Sequence, residues 1–268
     1  MILIMAKKIL IVEGNLKEEN NNFLKSGIPT HTESLKESLS FFTNNLDLDV
    51  VNPSSDTNIN LVIKDLKKYD GLIWGGSSLN IYNDTIEIRK QIEFMKECFK
   101  NIKRILAICW GMQVAVTAAG GEVKKSNNGV HIGIAQNISV NENGIKFPLY
   151  KNKKNIFNSP AFNFDEVATI PKDSTILASN KVNKVQSLNF ETGISEIWGL
   201  QYHPEITYDK MIRLIKFRKD RLINVRKAFN NEKEIEEHIN LIKEENKISE
   251  KSSRLLELQN WLNYISAN

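Results

Sequence analysis

The chain has 268 residues, 41% hydrophobic and 25% charged, a balance that supplies a substantial core and excludes disorder throughout. Its formal charge is only +4, with acidic and basic residues interspersed, so bulk electrostatics gives no case for nucleic acid as a partner. Two cysteines, Cys98 and Cys109, make no disulfide framework and fit a reducing, cytoplasmic compartment.

The opening MILIMAKKILIVEG lacks the basic start, long apolar centre and small-residue cleavage site of a secretory signal. No stretch reaches the roughly 18 apolar residues of a membrane span, so no membrane association is expected. The segment reads as a buried first strand whose start before Met5 is frayed or wrongly assigned. Apolar runs at Lys8 to Gly14, Leu48 to Pro53, Gly71 to Gly76 and Arg104 to Cys109 then alternate with helical patterns near Thr32 to Phe42, Asn60 to Lys68 and Thr85 to Phe99. That rhythm predicts an α/β fold: an open, mostly parallel sheet with helices on both faces. A small-residue helix over Met112 to Ala119 follows, then strands in IGIAQNISV and STILASN, and a strand pair in VQSLNF and EIWGLQYHP joined by ETGIS. No internal repeat or low-complexity linker interrupts the chain.

From Asp209 onward Gly and Pro vanish and the sequence becomes charged and helical. This divides the chain into a body, 1–208, and a C-terminal helical extension, 209–268, that packs on the body or on a second copy of the chain, giving a homo-oligomer. The extension's basic residues, among them Arg218, Arg221 and Arg226, read as a solvated helix face, because no aromatic interleaving supports base stacking.

The stretch RILAICWGMQVAV raises the chemical question. A parallel strand ends on Cys109 and a helix begins at once, the sharp strand-to-helix turn that presents a nucleophile above the sheet edge. Small residues, Ala107 and Gly111, flank it as such a turn requires. At a helix N-terminus the unpaired N–H groups and the macrodipole favour the thiolate, and the N–H of Trp110 can donate to an oxyanion. Cys98, inside an amphipathic helix, reads as structural.

A cysteine nucleophile needs a base, and the chain has four histidines. His238 reads as a solvated residue of the tail and His31 as a cap or surface residue, while His131 follows a glycine-containing turn and stays a candidate. His203, in GLQYHPE, fits best. The following proline favours an extended backbone at His203, which sends residues i and i+2 to the same side and brings Glu205 to the imidazole. A carboxylate on one ring nitrogen fixes the tautomer and leaves the other nitrogen to exchange a proton with Cys109.

CWGMQ followed far downstream by HPE, with YDGLIWGGS upstream, resembles the class I glutamine amidotransferases, particularly members similar to the glutaminase domain of GMP synthase. The likeness covers about residues 8 to 207. It implies a flavodoxin-like sheet and a Cys109–His203–Glu205 triad that hydrolyses the side-chain amide of glutamine through a γ-glutamyl thioester. It also implies backbone oxyanion donors at Gly76 and Trp110, and a substrate-seating role for Gln113. Two departures fall at pocket positions: relatives commonly carry an acidic residue where His131 stands in NGVHIG, and H-x-D where FNFDEV has Asn163 ahead of Asp165. His131, Asn163 and Asp165 are therefore expected to set substrate selectivity.

The expected activity is a cysteine amidohydrolase acting on glutamine or a related γ-glutamyl amide, with no cofactor and no metal site, since the histidines and cysteines are too scattered for a ligand cluster. No G-x-x-x-x-G-K-[ST] loop or comparable nucleotide loop is present, so any ammonia-accepting synthetase is a separate protein. Two alternatives stand beside this: the glutaminase subunit of a two-chain amidotransferase, and a non-catalytic regulatory module on the same scaffold.

Overall fold

The alternation of apolar runs and amphipathic segments folds as one βα succession, described for residues 6–267 in a computed structural model. The fraying expected before Met5 lies outside the described residues. Strands β1 (Lys7–Val12), β2 (Leu46–Val51), β3 (Gly71–Trp74) and β4 (Arg104–Ile108) alternate with helices α1 (Lys17–Lys25), α2 (His31–Ser40), α3 (Ile59–Asp65), α4 (Ile86–Asn101) and α5 (Trp110–Ala118). Then come β5 (Glu122–Lys125), β6 (His131–Ile132), β7 (Ala135–Val140), α6 (Glu142–Lys146), β8 (Ile156–Ser159), β9 (Phe162–Asn163), β10 (Asp165–Thr169), β11 (Thr175–Ser179), β12 (Ser187–Thr192) and β13 (Ser195–Leu200). The tail contains α7 (Tyr208–Phe217), a π-helical turn (Arg221–Val225), α8 (Glu232–Ile248), α9 (Lys251–Arg254) and α10 (Leu256–Ala267).

The main sheet has nine strands in the order β2-β1-β3-β4-β13-β12-β11-β7-β8. Its first five are parallel, and from β13 onward the pairings are antiparallel. The parallel half is buried on both faces, and its side chains sort by strand period: Leu10 and Val12 enter one core layer, Ile9 and Ile11 the other. The first layer is closed by α4 and α5 through Phe94, Met95, Met112 and Val116. The second is closed by Leu35 and Leu39 of α2 and, from the far end of the chain, by Leu258, Trp261, Leu262 and Ile265 of α10.

The extension thus packs on the body of its own chain. Asn260 donates to the carbonyls of Leu149 and Lys151 at 2.9 Å each, and buried Lys153 and Glu257 pair at 2.8 Å. Its first helix starts at Tyr208, capped by the side chain of Thr207, which accepts from the N–H of Lys210. Two features escape a periodicity argument. Helix α1 reads KEENNNFLK and buries only Phe23, so it carries almost no apolar stripe, and β6 and β9 are two-residue strands too short to show alternation.

Candidate active site

The parallel order places the carboxyl ends of β3, β4 and β13 side by side, where sites in open α/β sheets form. Cys109 leaves β4 as the N-cap of α5 with φ 53° and ψ −101°, a left-handed conformation unfavourable for a side chain. Three neighbouring contacts hold it there. The Cys109 N–H donates to the carbonyl of Leu200 at 2.6 Å, its own carbonyl accepts from Gln113, and the Gly111 N–H donates to the carbonyl of Gly75 at 3.1 Å. Gly111 sits so tightly that a Cβ there would lie 2.4 Å from the Trp74 carbonyl oxygen.

That last hydrogen bond ties the turn after β3 to the start of α5, so that Gly76 follows one end of the link and Trp110 precedes the other. Among the described residues no protein acceptor takes either N–H. Gly76 lies against the two imidazoles, and a Cβ there would be 2.7 Å from Cε1 of His203 and 2.6 Å from Cε1 of His31.

His203 follows β13 and is fixed by its N–H donating to the Pro160 carbonyl at 2.7 Å. Its Nδ1 and Oε1 of Glu205 are 2.7 Å apart, both residues are buried, and the ring lies within electrostatic reach of Cys109. The sulfur also receives the amide Nε2 of Gln201 at 3.5 Å. Burial alone would drive the His203 proton off, but the negative charges of Glu205 and Cys109 outweigh it, and the imidazole is pushed up to about 10. Cys98 is buried as well, but inside α4 among apolar side chains, and burial pushes its thiol well above the ordinary range.

The loop carrying Glu205 is clamped from two sides. Ser38 of α2 donates to the Glu205 carbonyl at 3.0 Å, and Arg254 of the extension donates to the carbonyls of Pro204 and Ile206. Lys210 lies nearby, donating to the Thr30 carbonyl and Ser34, and its burial lowers its pKa to about 8.

Cys109, Trp110 and Gln113 line one cavity with Asn163 and Asp165. Both carboxylate oxygens of Asp165 are engaged, by Asn80 Nδ2 at 2.8 Å and the Tyr82 hydroxyl at 3.0 Å. Burial raises its pKa. Asn163 donates to the Asp165 carbonyl and keeps a buried Oδ1 with no protein partner.

His131 is not part of this cavity. It pairs across β6 and β9 with Asn163, but its ring turns to Asn180 and Gln186 and lines a separate depression. Burial holds it down to about 4. Antiparallel partners lie side by side in a ladder, so proximity to Asn163 does not place the imidazole in the same space.

Three further readings of the sequence differ from the structure. His31 is buried and stacks on His203, ring centroids 5.5 Å apart. Its burial, with the charges of Lys210 and His203, pushes its pKa well down, so it is neutral. The donor atoms of His31, His203 and Glu205 lie within 4.8 Å of one another, but His203 Nδ1 and Glu205 Oε1 already satisfy each other. His238 is half-buried, its Nε2 2.5 Å from the Ile132 carbonyl. The basic face of the tail is not simply solvated: Arg218, Arg221 and Arg226 line the cavity over Cys109. Among the described residues no helix is long and apolar enough to cross a membrane.

An open α/β sheet with a strained cysteine elbow and a buried His–Glu pair is an arrangement able to carry cysteine-hydrolase chemistry. Residues 31–218 match the family model of glutamine amidotransferase class-I, and the chain belongs to that family. It is 29% identical over 203 residues to a γ-glutamyl-L-1-hydroxyisopropylamide hydrolase of a Pseudomonas species, covering 75% of this chain and 68% of that protein. It is 28% identical over 165 residues to γ-glutamyl peptidase 3 of Arabidopsis thaliana, covering 60% of this chain and 63% of that one. A subunit of the glutamine-hydrolysing GMP synthase of Sulfolobus acidocaldarius is 31% identical over 155 residues, 58% of this chain and 77% of that protein. Among solved structures, a Thermotoga maritima glutamine amidotransferase superposes with a TM-score of 0.66 at 15% identity, over 98% of this chain and 99% of that one. The fold likeness therefore includes the helical tail.

Proposed function

We propose that the chain is a cysteine-dependent amidohydrolase that cleaves the side-chain amide of glutamine or a related γ-glutamyl amide. One observation carries this: a buried His203–Glu205 pair within electrostatic reach of Cys109 at a strained elbow, with the Gly76 and Trp110 N–H groups free of protein acceptors among the described residues. In the reading that follows, Sγ attacks the γ-carbonyl and forms a C–S bond, while Gly76 and Trp110 donate to the oxyanion. His203 gives its proton to the leaving nitrogen as the C–N bond breaks. Water, deprotonated by the same imidazole, then attacks the thioester, the C–S bond breaks, and the γ-carboxylate leaves. Glu205 holds the ring and stabilises its charge without taking the proton. Gln113, Asn163 and Asp165 seat the substrate.

The named activities of the Pseudomonas and Arabidopsis relatives support amines larger than ammonia as leaving groups. Assaying the purified protein against glutamine, γ-glutamyl alkylamides and γ-glutamyl amino acids tests the reading, with Cys109→Ala expected to remove turnover by three orders of magnitude or more, on the order of what nucleophile deletion costs. Turnover unchanged in that variant sinks it. The similarity to a GMP synthase component favours a second reading, a glutaminase that serves a separate synthetase. Co-purification of a synthetase that stimulates ammonia release would select it.

A further inference from the structure

The tail delivers three guanidinium groups to the cavity that holds Cys109, and they are not equivalent. Arg218 is spoken for: it donates to Glu19 at 2.8 Å and to Ser78, and lies over the ring of Phe162 at 5.1 Å. Arg226 donates to the neutral Asn80 at 2.9 Å and stacks over Phe164 at 4.6 Å. Arg221, at the start of the π-helical turn, has no hydrogen-bond or ion-pair partner among the described residues. Against three positive charges the surroundings set two carboxylates, Glu19 on Arg218 and the fully engaged Asp165. Arg221 is thus the guanidinium left without an ion-pair partner of its own, half-buried, repelled by Arg226 and drawn only toward the Glu19 that Arg218 already engages, on the cavity that Cys109 also lines. A π-helical turn re-aims side chains that a regular helix would send elsewhere, and such turns concentrate at functional sites.

We propose that Arg221, backed by Arg218 and Arg226, forms an anion subsite that receives a carboxylate of the substrate. This rests on the γ-glutamyl amide reading and deepens it. Two carboxylates could occupy the subsite: the α-carboxylate of the glutamyl part, present in every such substrate, or that of an amino-acid leaving group. Occupation by the second makes γ-glutamyl amino acids the preferred class over γ-glutamyl amines.

The test compares wild type, Arg221→Gln and Arg221→Lys on glutamine, γ-glutamyl methylamide and γ-glutamylglycine. It also measures calorimetric binding of γ-glutamylglycine to Cys109→Ala with and without Arg221→Gln. A charge-assisted contact predicts that Arg221→Gln lowers kcat/KM about tenfold or more, mainly through KM, with partial recovery in Arg221→Lys. Loss on γ-glutamylglycine alone assigns the leaving-group carboxylate, and equal loss on all three substrates assigns the α-carboxylate. Undiminished kcat/KM in Arg221→Gln overturns the subsite and leaves the hydrolase reading intact. A wild type inactive on every substrate defeats that reading instead, and the binding arm still decides the subsite: unchanged affinity without Arg221 overturns it, weakened affinity supports it.

Discussion

A buried imidazole ordinarily gives up its proton, yet His203 is pushed up to about 10, because Glu205 at 2.7 Å and the charge on Cys109 outweigh desolvation. The consequence for stability has a definite sign. A folded pKa raised above the ordinary 6.5 contributes stability that is complete below about 6.5 and is lost as pH rises through about 10. In the proposed mechanism the protonated ring donates to the leaving nitrogen, so activity should decline on the alkaline side as that proton is lost. Glu205→Gln keeps the size and one hydrogen bond but removes the charge. We predict that its alkaline limb of kcat/KM moves to lower pH, and that the loss of thermal stability between neutral and alkaline pH begins earlier. An alkaline limb identical to wild type would show that another group, not His203, sets it. His131 shows the opposite case at the same scale: buried without a carboxylate, it is held down to about 4, so its contribution is present above about 6.5 and lost as pH falls through about 4.

At the scale of elements, the strand-to-helix joint between β4 and α5 depends on how closely α5 approaches β3. A methyl group at Gly111 would meet the Trp74 carbonyl oxygen at 2.4 Å and its Cβ at 2.8 Å, and neither atom can swing aside. We predict that Gly111→Ala destabilises by about 1–3 kcal/mol, the range of overpacking in a filled core, and displaces the Trp110 N–H enough to lower activity. Urea unfolding and turnover of one sample check both, and wild-type values for each would mean the joint tolerates a wider gap. This joint was legible in the sequence because its causes are local: an apolar strand, a cysteine, and small residues at 107 and 111. The His203–Glu205 pair was legible for the same reason, two residues apart with a proline between. What stayed hidden was assembled across the chain. The stacking of His31 on His203 depends on where α2 lands, the arginines reach Cys109 only through the path of the tail, and the aim of His131 depends on which side of a two-residue ladder it occupies.

The whole molecule ties its last helices to its chemistry by two routes. One is packing: Leu258, Trp261, Leu262 and Ile265 complete the second core layer beneath β1, β3 and β4, so the tail is part of the fold that positions the elbow. The other is direct: Arg254, between α8 and α10, donates to the carbonyls of Pro204 and Ile206, the residues that flank Glu205. These donations leave Pro204 and Ile206 satisfied while their loop turns, and they hold a positive charge near the Glu205 carboxylate. Arg254→Met retains the aliphatic stem and removes the donors. Its loss should cost about 1–3 kcal/mol of stability from two carbonyls left unpaired. A greater effect is expected on kcat than on KM, because the loop orients His203 and does not touch the cavity over Cys109. The distinguishing measurement is the His203 titration itself, followed by NMR of ring-labelled protein in the variant and wild type. A purely structural Arg254 would lower stability and leave that titration where it was; a positioning role moves it, because the Nδ1 to Oε1 contact that raises it is no longer held at 2.7 Å.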